Sequence, residues 1–210
     1  MTLIDALSSL ADMQEPAFDT GDAAARLGLL PAHASTVLAR LAAARHLVRL
    51  RRGVWAFPQR IDPLSLPGLL TAPLPSYVSL QSALYLHGLI SQMPAVTYAV
   101  SLARARRFDT PLGVVSIHHV TPSFFFGFDQ TGPKGALLAS PEKALVDFLY
   151  LLPARSRLFR ALPEIELPRG FDANLARAMT ARIASTRRRA MVMGALELIL
   201  LRRRRPHGRE

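Results

Sequence analysis

The sequence predicts an α+β protein, and three observations carry that prediction. Within the first 60 residues, apolar side chains recur at helical spacing in three successive segments and then alternate along a short ribbon around Gly53. A stretch rich in proline, "IDPLSLPGLLTAPLP" (61–75), follows. Beyond it, β-rich runs interleave with helices that carry their own start signals, which gives a mixed α/β remainder.

Leu3, Leu7 and Leu10 define the first helix, and "TGDAAARLGL" a second that starts at Thr20 and stops at Gly28. Pro31 opens the third, at a position where its missing N–H costs nothing. On that helix Ala34, Val37, Leu38 and Leu41 share an inward face, while Ala32, Thr36, Ala39 and Ala43 fall opposite, flanked by His33 and Arg40. In the ribbon "HLVRLRRGVWAFP", simple alternation sends Val48 and Leu50 one way and Arg49 and Arg51 the other, with the turn at Arg52-Gly53. Trp55 reads as a packing anchor.

Helix, short turn and helix followed by a two-stranded ribbon is the order of a winged helix-turn-helix, whose second helix enters the major groove and whose ribbon reaches the backbone. On this reading residues 1–62 are a domain that binds double-stranded DNA. His33, Ser35, Thr36 and Arg40 face base edges, and Arg49, Arg51 and Arg52 face phosphates. The same arginines also suit a solvated edge that resists strand pairing. Residues 63–75 read as a linker without regular structure, and 76–210 as a second domain.

The net charge of +11 and the pI near 11.3 suit a polyanionic partner, although arginine supplies 24 of the 26 basic residues and a GC-rich coding sequence imposes the same bias. The excess is concentrated late: residues 177–210 carry 10 basic and 2 acidic side chains. The absence of cysteine rules out disulfides and thiolate metal sites and fits a reducing cytosol. "MTLIDALSSLADM" lacks the basic start of a signal peptide, and the tail run "AMVMGALELILL" spans 12 residues including Glu197, against roughly 20 for a spanning helix. A cytoplasmic protein with no membrane segment is therefore expected.

In the second part, "SYVSLQSALYLHGLI" reads as a strand end entering a helix capped by Ser79 and closed at Gly88. "AVTYAVS" and "GVVSIHHV" are β-rich and joined through "LARARRFDTPL", and "SPEKALVDFLYLL" is a helix capped by Ser140 with Pro141 and Glu142 in its first turn. Together, "SYVSLQSALYLHGLI" (76–90), "RRFDTPLG" (106–113) and "SPEKALVDFLYL" (140–151), behind the N-terminal unit, resemble the AbiEi antitoxins of type IV toxin–antitoxin systems. The resemblance implies a repressor that binds inverted repeats in its own promoter and a second domain that counters a nucleotidyltransferase toxin without a stable complex. Ser76, Tyr77, Ser79, His87, Gly88, Arg107, Thr110, Pro111, Gly113, Pro141, Glu142, Lys143 and Asp147 occupy family motif positions.

Two alternatives stand beside this reading: a winged-helix transcription factor whose second domain binds a ligand or protein, and a metal-dependent nuclease using Asp109, Glu142, Lys143 and Asp147. The nuclease is disfavoured because "GVVSIHHV" offers no carboxylate, Asp109 reads as a loop residue, and Glu142 and Lys143 point about 100° apart on a helix. His118 and His119 face opposite sides of a strand, so they are not expected to share a metal. No Gly-rich phosphate loop or catalytic triad motif appears, so neither a cofactor nor an enzymatic activity is expected. "SFFFGF" reads as core packing or a partner-facing patch ahead of base stacking, and "TRRRAMVMGALELILLRRRR" as a last core helix whose ends carry solvated or nucleic-acid-facing arginines, ahead of a membrane-surface helix.

Overall fold

A computed structural model of the chain describes residues 1–132, 135–152 and 164–203. The chain is a mixed α/β protein. Its first part comprises α1 (Leu3–Ala11), β1 (Ala17–Asp19), α2 (Thr20–Leu27), α3 (Pro31–Ala43), β2 (Val48–Arg51) and β3 (Val54–Ala56), with the strands in an antiparallel sheet ordered β1-β3-β2. Leu10, Phe18, Leu38, Leu41, Leu47, Trp55 and Phe57 form its core, as the helical spacing requires.

The caps explain the boundaries. Asp19, not Thr20, caps α2: its carboxylate accepts from Asp22 N while the Asp22 carboxylate accepts from Asp19 N. Gly28 closes the helix with φ 62°, a left-handed conformation that costs glycine little. Freed from capping, Thr20 ties the helix to the ribbon. Its backbone N–H donates to Gly53 O at 3.0 Å, and its Oγ1 accepts from Trp55 Nε1 at 3.1 Å. Thr20→Val keeps the shape but strands the indole N–H, and is expected to cost about 1–2 kcal/mol. Because Trp55 is the sole tryptophan, a denaturation curve followed by its fluorescence reads this loss directly.

The sequence points to an irregular linker over 63–75. The structure instead forms a 3-10 turn at Pro63–Ser65 and α4 (Leu66–Thr71), with Leu66, Pro67, Leu70 and Thr71 buried. Two of the four prolines mislead because their rings are tolerated where they lie, Pro63 and Pro67 both in first turns.

The second part contains β4 (Ser76–Val78), α5 (Leu80–Leu86), β5 (Thr97–Ser101), β6 (Arg106–Thr110), β7 (Gly113–His119), β8 (Phe128–Thr131), β9 (Ala136–Ala139), α6 (Pro141–Leu151), α7 (Ala173–Ala181) and α8 (Thr186–Arg203). Its six strands run β6-β7-β5-β4-β9-β8, with β5/β7 and β4/β9 parallel and the other pairs antiparallel. Asp109 lies on β6 opposite Val114, a strand rather than a loop residue. Alternation along the strands separates two faces. Tyr77, Tyr98 and Val100 face a core shared with α5 to α8, while Ala99, Val115 and Ile117 face Leu66 and Leu70 of α4 and Leu50 and Ala56 of the ribbon. The sheet is thus covered on both sides.

Candidate nucleic-acid interface

α3 presents the anticipated division. Ala34, Leu38 and Leu41 are fully buried, whereas Ala32, His33, Ser35, Thr36, Ala39, Arg40 and Ala43 are exposed. Thr36 Oγ1 donates to Ala32 O at 3.2 Å, which leaves its oxygen lone pairs free for a second contact. Leu38 and Leu41 share a core with Trp55 of β3, so helix and ribbon are set by one packing unit. From residue 23 to residue 61 the chain carries seven arginines and no carboxylate. Arg45 and His46, just past α3, are exposed too. Sequence reasoning did not single them out, although their adjacency to Arg40 and Arg49 in an acid-free run is the signal that would have.

The ribbon departs from simple alternation. Arg49 is opposite Trp55 but Arg51 is opposite Val54, because the register shifts between Arg49 and Arg51. Trp55 and Val54 point to opposite faces of β3, so Arg49 and Arg51 do as well. Arg49 is exposed with its guanidinium 5.5 Å from the Trp55 ring. Arg51 turns inward: Nη2 donates to Ala72 O at 3.2 Å, and Nε is buried without a hydrogen-bond partner among the described residues. Arg52 is exposed at the two-residue turn beside Gly53, whose φ is 78°. The arginines expected to act together are therefore divided, with Arg49 and Arg52 outward and Arg51 against the end of α4.

Four of the residues that carry the resemblance, Tyr77, Ser79, Lys143 and Asp147, converge elsewhere. Lys143 and Asp147, one turn apart on α6, are both 0% exposed with Nζ and Oδ1 at 2.6 Å. Asp147 Oδ2 accepts from Tyr77 OH at 2.9 Å and from Ser79 Oγ at 2.8 Å, and Lys143 Nζ also donates to Phe124 O at 3.0 Å. The Phe124 and Phe126 rings lie 3.7 and 4.3 Å from the ammonium. "SFFFGF" thus serves packing, as its composition suggests. Burial drives the Tyr77 phenol up, with the Asp147 carboxylate adding to the effect. It also lowers Lys143 and raises Asp147 against their mutual attraction. Ser79 occupies the N-cap position of α5 but makes no capping bond, its hydroxyl being committed to Asp147. Glu142 accepts from Asp172 N at 2.9 Å and so anchors α7. Such a cluster joins β4, α6 and the aromatic loop.

His118 is partly buried beside Ser116 Oγ at 3.1 Å, while the exposed His119 contacts Ala103 O, on opposite faces as expected. Among the described residues no three His, Asp or Glu side chains converge as a metal site, and no helix is long and apolar enough to cross a membrane. No protein-family model and no curated protein matches the chain.

Proposed function

We propose that residues 1–62 form a winged helix-turn-helix and that the protein is a cytoplasmic DNA-binding transcriptional regulator. The observation that carries this reading is the exposed face of α3, built of alanine, serine, threonine, histidine and arginine, together with outward-facing Arg49 and Arg52 and no carboxylate between residues 23 and 61. A face of small side chains lets the helix approach the floor of the major groove, and its longer members reach base edges. The resemblance to AbiEi antitoxins extends the proposal. The protein represses its own operon at inverted repeats, and residues 76–210 counter a nucleotidyltransferase toxin without a stable complex.

The test is selection of bound sequences from random duplexes by the intact chain. An enriched motif is expected, and His33→Ala, Ser35→Ala, Thr36→Ala or Arg40→Ala should change its preferred bases, each good direct contact being worth about 1–3 kcal/mol of discrimination. Absence of a motif, or the same motif from all four variants, overturns the reading. For the antitoxin half, growth is measured with a nucleotidyltransferase toxin encoded beside this gene induced alone or with residues 76–210; failure to restore growth removes that half.

A further inference from the structure

α8 buries Val192, Leu196, Ile199 and Leu200 against the core, yet carries a second apolar stripe. At 100° per residue Met191, Gly194, Leu198 and Leu201 fall on one side, and Met191, Leu198 and Leu201 are 45%, 65% and 55% exposed. Exposed Arg187 and Arg202 lie in line with the two ends of this stripe, about 22 Å apart at 1.5 Å per residue. The one carboxylate described on α8, Glu197, is held in a bidentate pair by Arg177 at 2.6 and 3.0 Å. Gly194 adds an independent observation. It sits in the helix interior, where glycine is unfavourable, and a Cβ there would meet nothing within 4 Å. Nothing in the described fold requires it. A missing side chain in the middle of an exposed stripe instead allows another backbone to approach closely.

We propose that this stripe docks an acidic amphipathic helix of a partner protein, about four turns long, with an apolar face centred over Gly194 and carboxylates near both ends facing Arg187 and Arg202. Charge selects this occupant. A second copy of α8 laid antiparallel sets Arg187 against Arg202, and laid parallel sets like against like, so self-pairing is repelled in either direction. An acidic helix meets opposite charge at both ends while covering the leucines between them. The inference is independent of DNA reading by the N-terminal residues.

Fluorescence anisotropy of a labelled helical peptide of about 16 residues tests it, with a leucine stripe and glutamates at both ends, against the same peptide carrying lysines. The full chain is expected to bind the glutamate peptide at least tenfold more tightly. Leu198→Glu should lose tenfold or more, and Arg187→Glu with Arg202→Glu should invert the charge preference. Gly194→Ala should raise Tm by roughly 2 °C, because the space is open and alanine favours the helix, while weakening the peptide several-fold. Equal affinity for both peptides, unchanged binding by Leu198→Glu, or Gly194→Ala that leaves affinity intact overturns the proposal. So does a dimer in sedimentation, or binding to phosphatidylserine vesicles, that Leu198→Glu abolishes, since the stripe then belongs to a second copy or to a lipid surface.

Discussion

Asp147→Ala is expected to destabilise the protein by about 3–5 kcal/mol, because it leaves the ammonium of a fully buried lysine without its counter-charge. For a chain of this size that corresponds to a fall in Tm of roughly 6–20 °C. Tyr77 and Ser79 lose their acceptor in the same substitution, so two further buried hydroxyls go unsatisfied. Lys143→Met combined with Asp147→Leu removes both charges and is expected to recover the part of the loss that comes from the stranded ammonium, while the Tyr77 and Ser79 hydroxyls stay without their acceptor. The pH dependence of the single variant supplies a separate check. Burial already holds Lys143 below its ordinary value of 10.5, and without Asp147 the opposing attraction is gone. The unfolded chain then binds more protons between the lowered value and 10.5, so the stability of Asp147→Ala rises with pH across that window. The sign follows from a depressed lysine, whose neutral form is the one the fold accepts. Equal stability of the single and double variants in urea titrations, or no rise with pH, would show that the pair does not hold β4 to α6.

Much of this architecture was legible in particular residues. The three N-terminal helices, the turn at Gly53 and the helix from Pro141 followed from apolar spacing and caps, which are local signals. Lys143 and Asp147 are separated by one helical turn, and Tyr77 and Ser79 by one strand period, so each pair is readable in sequence. Their convergence is not, because it depends on β4 docking beside α6 some 70 residues later. α4 was obscured by prolines that sit in first turns, where they do not break a helix. β6, β8 and β9 were missed for a different reason: "RRFDT" and "FDQT" are edge strands with polar side chains, and β9 is four residues long, too short to show a period. The candidate interface shows the same limit. Composition and spacing marked every arginine in the ribbon, but one inserted residue in a register decides which way each points.

That division gives the second large effect. Replacing Arg49 and Arg52 together by alanine is expected to flatten the dependence of log K on log salt by about 1.8, since each phosphate contact on a duplex contributes roughly 0.9 to the slope. Between 50 and 200 mM salt the deficit relative to the intact chain should accordingly shrink by about tenfold, with the largest loss at low salt. Arg51→Ala is expected to behave otherwise. Its guanidinium is directed at Ala72 O and away from the face that carries Arg49, so the salt slope should remain that of the intact chain while thermal stability falls. Anisotropy titrations of one duplex at four salt concentrations, alongside melting curves, separate the two outcomes. If Arg51→Ala flattened the slope as much as Arg49→Ala, Arg51 would have to leave α4 on binding and the phosphate-facing set would be all three arginines. If neither outward arginine changed the slope, the ribbon would not touch the backbone, and the charge of this unit would be that of a solvated edge.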